Sequence, residues 1–425
     1  MVSEYKKIIL KNGLRLILAP DDSKQVLTAL AVFGVGSRYE SENQAGISHV
    51  LEHMVFKGTK KRPSSLKIAE FIENIGGEHN AFTAKEYTGF YAKTASKYLD
   101  EAVDFLADLL VSPLLREEDL AKEKPVIIQE IDMYEDLPME VAANKFEYTL
   151  FGDNALGREI IGNRQSIESL SSADLINFRA SNYSGPNCVI VLAGNFGGRS
   201  EKEIISLAES KFVFPGGKPP VLPEIELNQK RSTSLVQRKT EQSHLVIGFR
   251  GASSKNADKY KLKMLALILG GSMSSRMFTE IREKRSLAYA VKSGTAAYLD
   301  TGLLDTYAGV PHSRVTEAVE AIVEQYQKIK RDITESEVKK AKEIIYGKKL
   351  ISLEDTSEVA IHYALAELLG EDLISPEELI KIYQSITLDE LVGVTGKYLT
   401  ENNLALSYVG PESLEQKINK YLTIS

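Results

Sequence analysis

The residues of this chain best suited to chemistry are two histidines and a glutamate in the run His49-Val50-Leu51-Glu52-His53. On a helix, positions i and i+4 share one face a turn apart, so both imidazoles reach a single metal ion. Glu52 falls on the flank of that stripe. There a carboxylate stands beside the metal and takes a proton from water that the metal acidifies, the chemistry of metal-assisted hydrolysis. The bland alternative is a solvated helix face. Against it, the chain has only 6 histidines, and Leu51, Met54, Val55 and Phe56 make this helix mostly apolar.

A catalytic zinc wants three protein ligands and one open position. The third ligand should be a carboxylate on another helix, and Glu123 and Glu130, seven apart and therefore two turns, face the same way. His79 competes by residue type, but its strand setting suits it less. Pro125 lies between the two glutamates and predicts a helix start or a kink there.

The elements that must position these groups follow from periodicity. Residues 5–19 predict a hairpin, Tyr5 to Leu10 and Leu14 to Ala19, about the Asn12-Gly13 turn. Val26 to Phe33 is a third strand. Helices are predicted over Gly46 to Phe56 and Ser65 to Ile75, the second stopping at Gly76-Gly77. A strand pair over Ala81 to Ala95, helices over Asp100 to Leu110 and Glu117 to Tyr134, and a strand over Asn187 to Leu192 complete the half.

Residues 214–230, with Pro215-Gly216-Gly217-Lys218-Pro219-Pro220, read as a linker between a domain at 1–213 and another at 231–425. Beyond it the order of elements recurs: strand Leu245 to Phe249, helix Tyr260 to Leu269, strand Leu303 to Val310, helix Val315 to Ile329. Asp100-Glu101-Ala102-Val103 is echoed by Thr316-Glu317-Ala318-Val319, Tyr183 by Tyr398, Asn187 by Asn402, and Thr88-Gly89 by Thr301-Gly302. The expected fold class is α+β, with two tandem homologous αβ domains, each a mixed sheet packed by helices. The second half has no histidine in Tyr260 to Leu269, so it holds no second metal in this way.

The composition bounds the rest. A chain of 425 residues with 43% apolar and 26% charged residues exceeds one core and is not disordered. A net charge of −7 with no long basic run disfavours nucleic acid as a partner. No apolar stretch suits a signal peptide or a membrane span, which predicts a cytoplasmic protein with no membrane partner. Cys188, the single cysteine, sits in an apolar run and reads as a buried structural thiol.

With the two histidines, Glu52 and the paired glutamates in place, the chain resembles the pitrilysin, insulysin and mitochondrial processing peptidase family of inverted zincins. Gly34-Val35-Gly36-Ser37-Arg38-Tyr39-Glu40, Glu52 to Thr59 and Gly76-Gly77-Glu78-His79-Asn80-Ala81-Phe82-Thr83 look like its signatures in its order. The resemblance covers nearly all 425 residues. It implies one Zn2+ per chain on His49, His53 and Glu130, with Glu123 supporting the site and Glu52 as the base of a zinc endopeptidase.

The segment Asn80, Ala81, Phe82 and Thr83 has a use of its own. An edge strand beside a metal binds an extended peptide by main-chain hydrogen bonds, although a paired core strand reads the same in sequence. In the second half the resemblance singles out Arg282 and Tyr289, donors suited to a substrate carbonyl or oxyanion, with Arg285 the nearest competitor. Gly270 to Arg276 lacks the ending of a phosphate loop and reads as a helix cap and loop. Because one chain carries both the metal motif and the Arg/Tyr pair, the resemblance implies a homodimer whose subunits enclose a chamber admitting peptides or unfolded polypeptide. Two alternatives share the fold: a structural core subunit that has lost the metal, and a chaperone that binds peptides without cutting.

Overall fold

The computed structural model describes residues 5–227 and 230–424. Linker residues 228 and 229 and the ends at 1–4 and 425, which fall in the domain and linker ranges above, lie outside the described residues.

In the first unit, β1 (Lys6–Ile9), β2 (Arg15–Pro20), β3 (Val26–Phe33), β4 (Glu78–Thr83), β5 (Thr88–Ala95) and β6 (Cys188–Gly194) form one sheet in the order β1-β2-β6-β3-β5-β4. Only β2 and β6 are parallel; the other pairs are antiparallel. The hairpin between β1 and β2 turns where expected, with Gly13 at φ +82°, a region that favours glycine.

Both faces of this sheet are covered, which explains why β3 reads as a nearly continuous apolar run. Side chains alternate, so Leu16, Leu18, Ala29, Ala31 and Phe33 join one core with Val50, Leu51 and Met54 of the helix Ile47–Val55. Ile17, Leu30, Val32 and Val191 join another with Val359, Ala360, Tyr363 and Ala364 of the helix Thr356–Leu368. The one polar residue of the strand, Thr28, meets Thr356 on that outer face, hydroxyl to hydroxyl at 2.8 Å.

The second unit repeats the scheme. Strands β7 (Ser232–Gln237), β8 (Ser243–Gly251), β9 (Ala290–Ala297), β10 (Gly302–Val310) and β11 (Leu404–Gly410) take the order β7-β11-β8-β10-β9, again with one parallel pair, β7 with β11. Strand for strand this is the first sheet without β1, as a duplication requires. The helices agree. Leu99–Val111 corresponds to Val315–Ile329, and Ser172–Asn182 to Leu388–Tyr398, the latter two both opened by a capping box, at Ser171 and Thr387.

Two sequence expectations are corrected. The echo of Tyr183 and Asn187 slips by one residue: the Asn187 side chain donates to the Asn182 carbonyl, and the residue making the same bond in the second half is Asn403, to Tyr398, not Asn402. The units are also not the contiguous halves 1–213 and 231–425. The first comprises Met1–Ile131, Arg158–Glu224 and Lys349–Glu378, and the second Asp132–Gly157, Ile225–Lys348 and Leu379–Ser425. Each half lends one helical segment to the other's sheet, since Phe146 and Leu150 of the helix Pro138–Phe151 pack with Val246, Ala405 and Val409. Linker composition marks where the chain passes between units; it carries no information about which sheet a helix covers.

Pro125 neither starts a helix nor divides two. The helix Glu117–Glu135 runs through it without interruption, and the missing N–H is tolerated.

Candidate metal centre

The helix Ile47–Val55 has only nine residues, too few to persist alone in water. It is held by its apolar side, because Val50, Leu51, Met54 and Val55 are all fully buried, each contributing about 1.5–3 kcal/mol. Its start is satisfied from outside. Gly46 adopts φ +90°, and the buried Glu40 carboxylate accepts hydrogen bonds from Gly46 N at 2.6 Å and Ser48 N at 2.8 Å. The face opposite the core carries His49, Glu52 and His53, the two imidazole rings 4.6 Å apart between centroids.

Glu130 arrives from the helix Glu117–Glu135, its Oε2 3.8 Å from His49 Nε2 and 3.7 Å from His53 Nε2. The three residues each offer an atom within 4.8 Å of the others, the one such group found among the described residues. Two neutral imidazole nitrogens and one carboxylate oxygen are a donor set suited to Zn2+ with one position left over. His79 is not among them. Its ring lies between those of Phe56 and Phe105, at 5.4 and 5.3 Å, an apolar setting.

The surroundings fit the metal as well as the donors do. Glu123 is buried and its Oε1 lies 2.9 Å from His53 Nδ1, which orients the ring so that Nε2 faces His49 and Glu130. The second oxygen of Glu123 pairs with Lys57 Nζ at 2.5 Å. Burial first, then the neighbouring His53, pushes His49 down to about 4, so it stays a neutral imidazole at neutral pH. Its Nδ1 is buried with no hydrogen-bond partner among the described residues.

Glu52 does not enter the three-donor group. One of its oxygens, Oε2, accepts from the Thr83 hydroxyl. Burial raises its pKa above the usual carboxylate range, against the opposing pull of Thr83 and His53.

Strand β4, with Asn80, Ala81, Phe82 and Thr83, is the edge of its sheet, paired only with β5 among the described residues. Ala81 packs toward the helix Ile47–Val55. Phe82 packs on the other face, its ring lying over Gly89, where a β-carbon would collide with it.

Arg282 and Tyr289 sit in the second unit. The Arg282 guanidinium stacks on Tyr289 at 5.1 Å and on Phe278 at 4.7 Å, and Tyr289 is 80% exposed. Both line a cavity of about 480 Å³ together with Gln242 and Gly309. Arg285 is engaged elsewhere, with Glu324 at 2.6 Å and Glu280 at 3.1 Å.

Two contacts escaped the sequence reading. Thr83 was expected only as part of a candidate peptide-binding strand, and nothing marked its hydroxyl as a partner of Glu52. Lys57 lies beyond the end of the helix Ile47–Val55, so no helical spacing marked it as sharing the Glu123 carboxylate with His53.

Residues 15–164 match the model of the insulinase family, peptidase family M16, and residues 169–345 that of the M16 inactive domain. The uncharacterized zinc protease YmxG of Bacillus subtilis is 34% identical over 96% of this chain and 98% of its own. An uncharacterized zinc protease of Streptomyces coelicolor is 33% identical over 96% of this chain and 90% of its own. In fold, a protease from Helicobacter pylori superposes with a TM-score of 0.89 at 22% identity, over 96% of this chain and all of that one. A chain of complex III2 from Candida albicans superposes with a TM-score of 0.84 at 17% identity, covering 98% and 99%.

Proposed function

The chain belongs to peptidase family M16, the insulinase family, and from that premise we propose that it is a zinc endopeptidase acting on peptides or unfolded polypeptide. The observation that carries the reading is the convergence of His49 Nε2, His53 Nε2 and Glu130 Oε2. Fold alone decides nothing here, since a chain of complex III2 shares it. A structural subunit has no need of two imidazoles and a carboxylate converging with a buried carboxylate behind one of them.

When bound, Zn2+ supplies Lewis acidity toward water and the scissile carbonyl. The chain's own residues do the rest. Glu123 holds the His53 ring in place, and His49 stays neutral. Glu52 takes the proton from the attacking water and returns it to the leaving amine. The main chain of Asn80 to Thr83 binds an extended peptide at the free edge of β4. Arg282 and Tyr289 expose donors suited to a substrate carbonyl oxygen, and Arg285 is already committed to ion pairs.

One zinc per chain, action as a homodimer enclosing the substrate, and a cytoplasmic location complete the proposal. No helix among the described residues is long and apolar enough to cross a membrane.

The test is Glu52→Gln. It should bind zinc at wild-type stoichiometry and lose cleavage of a quenched peptide by about a hundredfold or more. Wild-type cleavage by that variant removes Glu52 as the base, and absence of zinc from the purified wild type favours a structural or chaperone role.

A further inference from the structure

We propose that Thr83 is a positioning residue for the hydrolysis, its hydroxyl holding Oε2 of Glu52 so that the other carboxylate oxygen is presented to the reacting water. This rests on the reading of Glu52 as the base. The structure spends the Thr83 side chain on this contact, with Oγ1 as donor and Oε2 as acceptor.

The alternation of β4 dictates the direction. Ala81 packs into the core that holds the helix Ile47–Val55, Phe82 packs on the opposite face, and Thr83 returns to the side of Glu52. A β-branched residue suits the task, because its restricted χ1 fixes the hydroxyl with little freedom to lose.

The backbone beneath Thr83 is fixed too. It pairs with Thr88 at the end of the β4–β5 ladder, and the turn that follows is docked on the run Gly36 to Arg38. Ser37 N donates to the Ala84 carbonyl at 3.2 Å, Arg38 N to the Lys85 carbonyl at 2.8 Å, and Arg38 pairs with Glu86 at 2.6 Å, both side chains buried. A glutamate side chain has three rotatable bonds. Without the hydroxyl, no other side chain among the described residues holds its carboxyl group by a hydrogen bond.

The segment Asn80 to Thr83 therefore has two separable roles. Its main chain is available to a peptide along the sheet edge, while the Thr83 side chain serves Glu52. A substitution that removes only the hydroxyl should lower the chemical step and leave peptide binding alone.

The experiment compares Thr83→Val and Thr83→Ser with the wild type on a quenched peptide, with zinc content and melting temperature measured in parallel. The expected result for Thr83→Val is unchanged zinc, KM within about twofold, and kcat lower by about 10–100-fold, the range that misplacement of a reacting group costs. Thr83→Ser, which keeps the hydroxyl, should recover kcat to within a few-fold. If Thr83→Val melts early, Thr83→Ala replaces it, since it removes the hydroxyl without adding bulk. Wild-type kcat in the hydroxyl-free variants, a loss that appears in KM instead, or a loss that serine does not restore overturns the proposal. Glu52→Gln run alongside separates the two failures. If it is inactive and Thr83→Val is fully active, only the positioning role is lost; if it is active, the assignment of the base is what fails.

Discussion

Glu123 bridges His53 and Lys57, with Oε1 2.9 Å from the imidazole Nδ1 and Oε2 2.5 Å from the ammonium. One buried carboxylate thus orients the imidazole that faces His49 and Glu130 and is itself oriented by a cation just beyond the end of the same helix. Burial alone would lower the pKa of His53, and the hydrogen bond to Glu123 together with its charge outweighs that and raises it. Glu123→Ala removes the ring's anchor. It should weaken zinc binding by about 10–100-fold, the usual effect of losing such a partner, as read by competition with a chromogenic chelator. Unchanged affinity would show that packing alone orients His53.

Removing the metal should act on the fold as well as on activity. The three donors come from two helices, so an ion that binds only the folded arrangement links them. Free zinc at 100 times its Kd contributes about 2.7 kcal/mol by mass action. Dialysis against a chelator should abolish peptide cleavage and lower the melting temperature, and added zinc should restore both. A melting temperature indifferent to zinc while cleavage is lost would mean that the two helices are held by packing alone.

Much of this site was legible from spacing. His49 and His53 at i and i+4, and Glu123 and Glu130 two turns apart, project to common faces whatever the rest of the fold does, because helix geometry is local. The likeness of the two sheets was legible for the same reason, as alternation and turn residues recur in order. The exchange of the helices Pro138–Phe151 and Thr356–Leu368 between units was not. Their apolar faces would suit either sheet, and the choice is made by tertiary packing around residues such as Thr28 and Thr356. Pro125 left a helix start and a kink open, and the helix Glu117–Glu135 running through it excludes the start, because helix propensity is a weak prior that packing overrides.

The glycine at 36 has a reason that spacing did not reveal. Its backbone is extended, so no special φ demands glycine, but a β-carbon there would collide with the Ala84 carbonyl oxygen and approach Lys85 C to 2.9 Å. Backbone atoms cannot swing aside as a side-chain tip can. Gly36→Ala should therefore cost about 1–3 kcal/mol, the range for overpacking, and loosen the turn after β4. Denaturant unfolding measures the first, and faster amide exchange at Ala84 to Tyr87 the second. An alanine variant of wild-type stability would mean that the turn yields at no cost.

Away from the metal, the strongest pH-dependent stabilisation should come from Asp104. Its carboxylate receives Lys61 Nζ and Lys211 Nζ at 2.6 Å each and Arg62 Nη2 at 2.8 Å, which joins the helix Leu99–Val111 to the loop at 61–62 and to the helix Glu201–Lys211. Burial by itself would raise its pKa, but the hydrogen bonds from Lys211, Lys61 and Arg62 outweigh that and hold it well below the ordinary 3.8. A carboxylate depressed in the folded state stabilises fully above its unfolded pKa, and the contribution is lost as pH falls through the folded one. Asp104→Asn should thus be less stable than wild type by about 1.5–3 kcal/mol at pH 7, the range for hydrogen bonds to charged groups. The gap should hold down to about pH 5 and narrow below about pH 4 as the wild-type carboxylate begins to protonate in the unfolded chain. Urea unfolding of both proteins from pH 7 downward reads this directly. A difference that stays constant through that range would place the effect in packing, and one that widens on acidification would reverse the sign of the linkage.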